Sequence, residues 1–140
     1  MNKLTIKDVN LKGKKIIMRV DFNVPLDDQL NITDDRRIQA ALPTIQYILK
    51  QKPAKLILMS HLGRPKGKAV DSMRLTPVAK RLQDLLNEKV LNLDNCIGPD
   101  VQQAVDHSQQ RVILLENLRF HKEEEGNDAG FAKQLASLAD

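Results

Sequence analysis

Four short apolar runs recur along the chain, each closed by a polar segment. They are Lys14–Val20, Lys55–Met59, Lys89–Leu93 and Arg111–Leu115. Each is too short for a helix and is bounded by charged residues, glycine or proline, which predicts strands. The run between Pro53 and Gly63 reads as a buried strand, and Lys89–Leu93 is the weakest of the set. Between the runs the period changes. Ile38, Ala41, Leu42, Ile45, Ile48 and Leu49 fall at helical spacing. Thr33-Asp34-Asp35 reads as the start of that helix, with a capping side chain and acids in the first turn. Pro43 lies inside it and predicts a kink or a brief break. Thr76-Pro77 predicts another helix start, threonine capping and proline at the first helical position, with Val78, Leu82, Leu85 and Leu86 as the buried face. Gly98-Pro99-Asp100 opens a short helix to about Val105, and Phe131, Leu135 and Leu138 mark a last one. Strands alternating with helices imply right-handed βαβ crossovers and a parallel sheet. The predicted fold class is α/β, a parallel sheet flanked by helices in a Rossmann-like three-layer α/β/α arrangement.

Length and composition narrow the field only a little. A chain of 140 residues fits one domain. No run of about 18 apolar residues occurs, so no membrane span is expected. The N-terminal stretch Met1–Asp8 lacks the apolar core of a signal peptide, and Cys96 is the sole cysteine. Together these favour a cytoplasmic location. The net charge of +4 invites a nucleic-acid reading. Phe22, Tyr47, Phe120 and Phe131 show no interleaving with basic residues, however, and there is no zinc spacing or helix-turn-helix signature. A small anionic substrate accounts for the charge equally well.

The chemistry gathers where the strands end. Ser60-His61-Leu62-Gly63-Arg64-Pro65-Lys66-Gly67-Lys68 follows the second run and contains no acid. Alone, such a loop is as readily a solvated turn as an anion site. In parallel sheets, however, the C-terminal strand ends are where ligands bind. Asp21 and Asn23 follow the first strand two residues apart, so an extended backbone points them to one side. Arg119 follows the fourth. Arg36 and Arg37 open the first helix about 100° apart, so at most one faces a given site. Arginine forks pair with phosphate or carboxylate; Arg37, Arg64 and Arg119 with His61 therefore suit a molecule carrying more than one anionic group. Bland alternatives stand beside this reading. Asp21 could be an ion-pair partner that holds the arginines. Arg119 could pair with Glu116 or Glu123, and Glu123–Glu125 could be a solvated face. Cys96 reads as a packed thiol. His61 reads as a donor to an anion rather than a general base, with no orienting carboxylate near it in sequence. His61, His107 and His121 fit no metal spacing. The stretch from Gly63 to Ala69 has only three residues between its glycines, and Ala69 stands where a P-loop needs Ser or Thr. Neither a P-loop nor G-x-G-x-x-G is present, so no ATP site is expected. Arg64–Arg74 is the longest polar stretch and is expected to be the most mobile loop.

Asp21-Phe22-Asn23-Val24-Pro25, Ser60–Gly67, Leu75-Thr76-Pro77-Val78-Ala79 and Glu116-Asn117-Leu118-Arg119-Phe120 resemble, in order and spacing, the N-terminal motifs of the phosphoglycerate kinase family. The resemblance covers essentially the whole chain. It implies that residues 1–140 form most of the N-terminal 3-phosphoglycerate-binding domain, an incomplete lobe of a two-lobed kinase. The nucleotide-binding C-terminal lobe would then lie outside this chain, and the last helix would be cut short. The family reversibly transfers a phosphoryl group between 1,3-bisphosphoglycerate with ADP and 3-phosphoglycerate with ATP, in glycolysis. MgATP or MgADP would bind the other lobe, no metal would bind this one, and this chain would be inactive alone. Partners would be the two phosphoglycerates and the enzyme's own second lobe in a monomer, with no nucleic acid or membrane. Carried over residue by residue, Asp21 and Asn23 would bind the glycerate hydroxyl region, with Phe22 also among the substrate-binding residues. His61, Arg64 and Arg119 would hold the non-transferring phosphate, with Leu62 and Gly63 also among the substrate-binding residues. Arg37 would contact the carboxylate and stabilise the phosphoryl group in flight, the catalytic role. Gln29-Leu30-Asn31 lacks the glycine often found in that turn. The rival readings are a free-standing anion-binding α/β module without catalysis and a basic nucleic-acid binder.

Overall fold

The second strand feeds two cores at once. In β2 (Lys55–Met59), Leu56 and Leu58 enter one apolar cluster and Ile57 enters another on the opposite face, as the two-residue strand period requires. A computed structural model describes residues 9–63, 65, 67–121 and 129–139. β2 is flanked by β1 (Lys15–Arg19) and β4 (Val112–Leu114), and β4 by β3 (Val90–Asn92). The sheet order is β1-β2-β4-β3 and every pair is parallel. Among the described residues four helices cover it: α1 (Arg36–Lys50), α2 (Thr76–Leu86), α3 (Pro99–His107) and α4 (Ala129–Ala136). Ile38, Ile45, Ile48, Val78 and Leu82 of α1 and α2 pack with Leu56, Leu58, Val112 and Leu114. Val101, Val105, Phe131 and Leu135 of α3 and α4 pack with Ile57 and Ile113. The expected three-layer α/β/α architecture is the one observed.

The lateral order accounts for the distribution of helices. From β1 to β2 and on to β3 the chain moves one way across the sheet, and α1 and α2 lie on one face. From β3 to β4 it steps back, so a right-handed crossover must use the other face. There α3 is found. The strand starts form one edge, held by long cations. Lys15 Nζ lies 3.0 Å from Asp106, and Lys55 Nζ donates to the carbonyls of Ser108 and Gln110. Arg111 grips Glu88 with two nitrogens, at 2.7 and 2.9 Å, and donates to the Leu49 carbonyl.

Three local expectations are corrected. Helix α1 runs on through Pro43, so the alternative of a brief break there is not what is found. Pro43 and Gln39 are both exposed, on the side of the helix where a carbonyl left without a donor is best tolerated. The acids before α1 precede its first turn rather than lie in it, and no side chain caps from the N-cap residue, Asp35. Instead Asp34 Oδ1 accepts the Arg36 N–H two residues on, at 3.0 Å. Thr76 is the first residue of α2, not its cap; Leu75 holds the N-cap position. The Leu75 N–H donates to Glu116 Oε1 at 2.7 Å. In a capping box that N–H is taken by a glutamate within the helix. Val78 stands at that point here, and a carboxylate from the end of β4 substitutes. Among the described residues no helix is long and apolar enough to cross a membrane.

Leu58 is fully buried between β1, β4 and the α1–α2 layer. We expect Leu58→Ala to lower the unfolding free energy by about 2–5 kcal/mol through the cavity it leaves. Urea denaturation checks this, and a loss below about 1 kcal/mol would mean that the core closes around the gap.

Candidate functional site

The other edge, where the strands end, is built differently. The polar or charged side chains buried among the described residues are Ser60, Glu116 and Asn117, and all three follow β2 or β4 on this edge. A buried polar group without a partner is costly. No buried side-chain nitrogen or oxygen among the described residues lacks one.

Ser60 and Asn23 join the ends of β1 and β2. Ser60 Oγ accepts the Phe22 N–H at 3.0 Å and donates to the His61 carbonyl at 3.1 Å. Asn23 Oδ1 accepts the Gly63 N–H at 2.9 Å. Gly63 has φ +64, and an added Cβ there would lie 3.1 Å from Met73 Sδ, so this turn favours glycine both in conformation and in space. Ser60 and Asn117 join β2 to β4. The Ser60 carbonyl accepts the Leu118 N–H at 3.0 Å. Asn117 Nδ2 donates to the carbonyls of Leu62 and Met73, and its Oδ1 accepts the Arg119 N–H. The Arg119 carbonyl in turn accepts the Gly67 N–H at 3.1 Å.

The two neighbouring arginines of α1 divide as their spacing requires. Arg36 turns back on Asp34, with Nη2 2.6 Å from Oδ2, and this pairing holds the Asp34 carboxyl below the usual carboxylate range. Arg37 turns to the strand ends. Its Nη1 donates to the Asn23 carbonyl at 2.7 Å and reaches Asp21 Oδ1 at 3.4 Å. The Arg37 and Asp21 side chains are 53% and 64% exposed, so this ion pair adds little stability and leaves both groups accessible.

Asp21, Asn23, Arg37, His61, Gly63 and Arg119 therefore lie along one hydrogen-bonded edge. Phe22 and Leu62 belong to the same segments, but their side chains are in the core, so backbone is what they can offer a ligand. Arg64 lies outside the described residues, as do Lys66 and Glu123–Glu125. The alternative pairing of Arg119 with Glu116 is not the arrangement found. Glu116 receives the Leu75 and Asn117 N–H groups and lies 3.6 Å from Arg74, whose guanidinium also stacks over Phe120. Glu116, Asn117 and Ser60 were not singled out as site residues by the sequence pattern. Their one signal is position, polar residues placed directly after apolar strand runs. Cys96 is fully buried, as a packed thiol should be. His121 bonds Asn95 and lies against the Phe131 ring. No group of three His, Cys, Asp or Glu suited to a metal occurs among the described residues.

Fold and site together define a class: a parallel α/β domain presenting arginine, histidine and loop backbone at the C-terminal ends of its strands. The model of the phosphoglycerate kinase family matches residues 6–140, and the chain belongs to that family. It is 59% identical over 144 residues to the phosphoglycerate kinase of Gloeothece citriformis, covering all of this chain and 36% of that protein. With the Moorella thermoacetica phosphoglycerate kinase it shares 56% over 141 residues, covering all of this chain and 35% of that protein. Among solved structures, the Coxiella burnetii enzyme superposes with a TM-score of 0.80 at 37% identity, over 98% of this chain and 33% of its own. The Pyrococcus horikoshii enzyme gives 0.85 at 29% identity, over 99% and 35%. The chain thus spans about a third of the length of the relatives it matches.

Burial raises the Glu116 pKa above its ordinary value of 4.5, opposed by the Leu75 and Asn117 N–H groups and by Arg74. A raised folded-state value means that the fold favours the protonated acid. The contribution of Glu116 to stability is then complete below about pH 4.5 and declines as pH rises through the folded-state value. Glu116→Gln does not titrate. We expect the stability of the parent minus that of the variant to fall as pH rises above about 4.5 in urea titrations. A difference that is flat or grows with pH would contradict the burial argument.

Proposed function

We propose that this chain is the acceptor-binding part, the N-terminal domain, of a phosphoglycerate kinase. Such an enzyme moves a phosphoryl group between 1,3-bisphosphoglycerate and ADP, giving 3-phosphoglycerate and ATP, in cytoplasmic glycolysis. The observation that carries the reading is the edge joining Asp21, Asn23, Arg37, His61, Gly63 and Arg119, in a chain of this family. Transfer of this kind depends on placement and charge neutralisation more than on covalent chemistry. The edge supplies both.

His61, Arg64 and Arg119, with the backbone of Leu62 and Gly63, would hold the phosphate that stays on the substrate. Asp21 would accept from the glycerate hydroxyl, with Asn23 beside it and Phe22 between them shaping the backbone. Arg37 is the catalytic residue of this reading. Among the described residues only its Nη1 is engaged, so its fork can span the substrate carboxylate and the phosphoryl group as charge develops. The sequence on this edge carries no P-loop. MgATP or MgADP would therefore be held by the part of the enzyme that the relatives have beyond this stretch, their second lobe. These 140 residues alone would not turn the acid over.

Two variants of the two-lobed enzyme test the assignment. Arg37→Ala is expected to lower kcat by about 10²–10³; near-parental turnover at saturating substrate would remove Arg37 from the chemistry. Arg64→Ala is expected to raise the dissociation constant for 3-phosphoglycerate, read by calorimetry, and an unchanged constant would leave that arginine without a binding role.

A further inference from the structure

Asn117 is 1% exposed and yet hydrogen-bonds on both sides of its amide. Nδ2 donates to the Leu62 carbonyl at 2.7 Å and to the Met73 carbonyl at 2.9 Å. Oδ1 accepts the Arg119 N–H at 3.0 Å. Two carbonyls on one side and an N–H on the other permit a single orientation of the amide. Leu62 and Met73 are the two feet of the connection from β2 to α2, the basic loop of the candidate site. One side chain therefore closes the base of that loop and fastens it to the segment that carries Arg119. The Gly67 N–H returns to the Arg119 carbonyl and makes a further tie. Asn117 is itself fixed from behind, because its N–H donates to Glu116 Oε1 at 2.9 Å.

We propose that Asn117 is a positioning residue for phosphoacceptor binding. It sets the distance between the His61–Gly63 segment and Arg119, so that both can hold one phosphate, without touching the ligand. The identity of the ligand rests on the function proposed above; the mechanical role does not. Apolar packing alone could hold these segments near each other, but it would not fix two carbonyls and an N–H against a single amide plane.

The test uses the two-lobed enzyme with Asn117→Asp, nearly isosteric, and Asn117→Ser, smaller and retaining one hydroxyl donor. Asp keeps the acceptor for Arg119 but turns an oxygen toward two carbonyls. Hydrogen exchange at the Gly63 and Gly67 amides is expected to quicken about tenfold or more, while Leu56 and Leu115 inside the sheet stay unchanged. The KM for 3-phosphoglycerate should rise about tenfold with the KM for MgATP within about twofold of the parent, as expected when a binding group is displaced rather than removed. Serine should fall between parent and aspartate in both readouts. Unchanged exchange at Gly63 and Gly67 would overturn the proposal. So would exchange that rises equally at Leu56 and Leu115, or a rise in both KM values together, since either marks general loosening. If the parent fails to act on 3-phosphoglycerate, the reading of the function falls, and the exchange data still decide the role of Asn117.

Discussion

A carboxylate and an amide buried side by side at the end of a strand impose the constraint that organises this edge. Neither can leave the interior once β4 is in place, because the fully buried Leu114 and Leu115 lead directly into them. Each must find its partners inside the protein. Glu116 finds two backbone N–H groups and Arg74. Asn117 finds two carbonyls and an N–H. Those partners lie on the β2–α2 loop, at the start of α2 and on the turn after β4. The need to satisfy two buried side chains thereby fixes the start of a helix and the course of two loops. Ser60 and Asn23 extend the same logic to the end of β1.

The two edges of the sheet divide the work. At the strand starts, Lys15, Lys55 and Arg111 spend their charges on Asp106, backbone carbonyls and Glu88. These cations are committed to internal partners and bind segments of the fold together. At the strand ends, side chains satisfy backbone while the accessible cation Arg37 is held through a carbonyl and a loose ion pair. A parallel sheet makes this separation possible, because every strand end lies on the same side. Helix α1 starts on that side too, which is how Arg37 arrives beside Asn23.

Much of this was legible in the sequence. Alternating short apolar runs and helical periods sufficed for the parallel α/β fold, and β2 has the bounds its composition predicts. The lateral order β1-β2-β4-β3 was not legible, because an apolar run of three to five residues carries no mark of which strand it neighbours. The start of α2 is legible in Thr76-Pro77, but its cap is not, because the group that takes the Leu75 N–H comes from 41 residues away. Arg36 and Arg37 could not be separated by spacing alone; the reach of Asp34 to Arg36 separates them. Glu116 and Asn117 escaped for a general reason. Polar residues after a strand are read as the turn into solvent, and here they are buried.

The central claim is that the strand-end edge is where a phosphorylated acid binds. Titration of the isotope-labelled two-lobed enzyme with 3-phosphoglycerate, followed amide by amide, tests it most directly. The account predicts saturable shifts concentrated at Phe22, Asn23, His61, Gly63, Gly67 and Arg119, with Lys15, Lys55 and Arg111 at the opposite edge unmoved. Shifts centred on that opposite edge, or none at the strand ends when ligand is in excess, would contradict it.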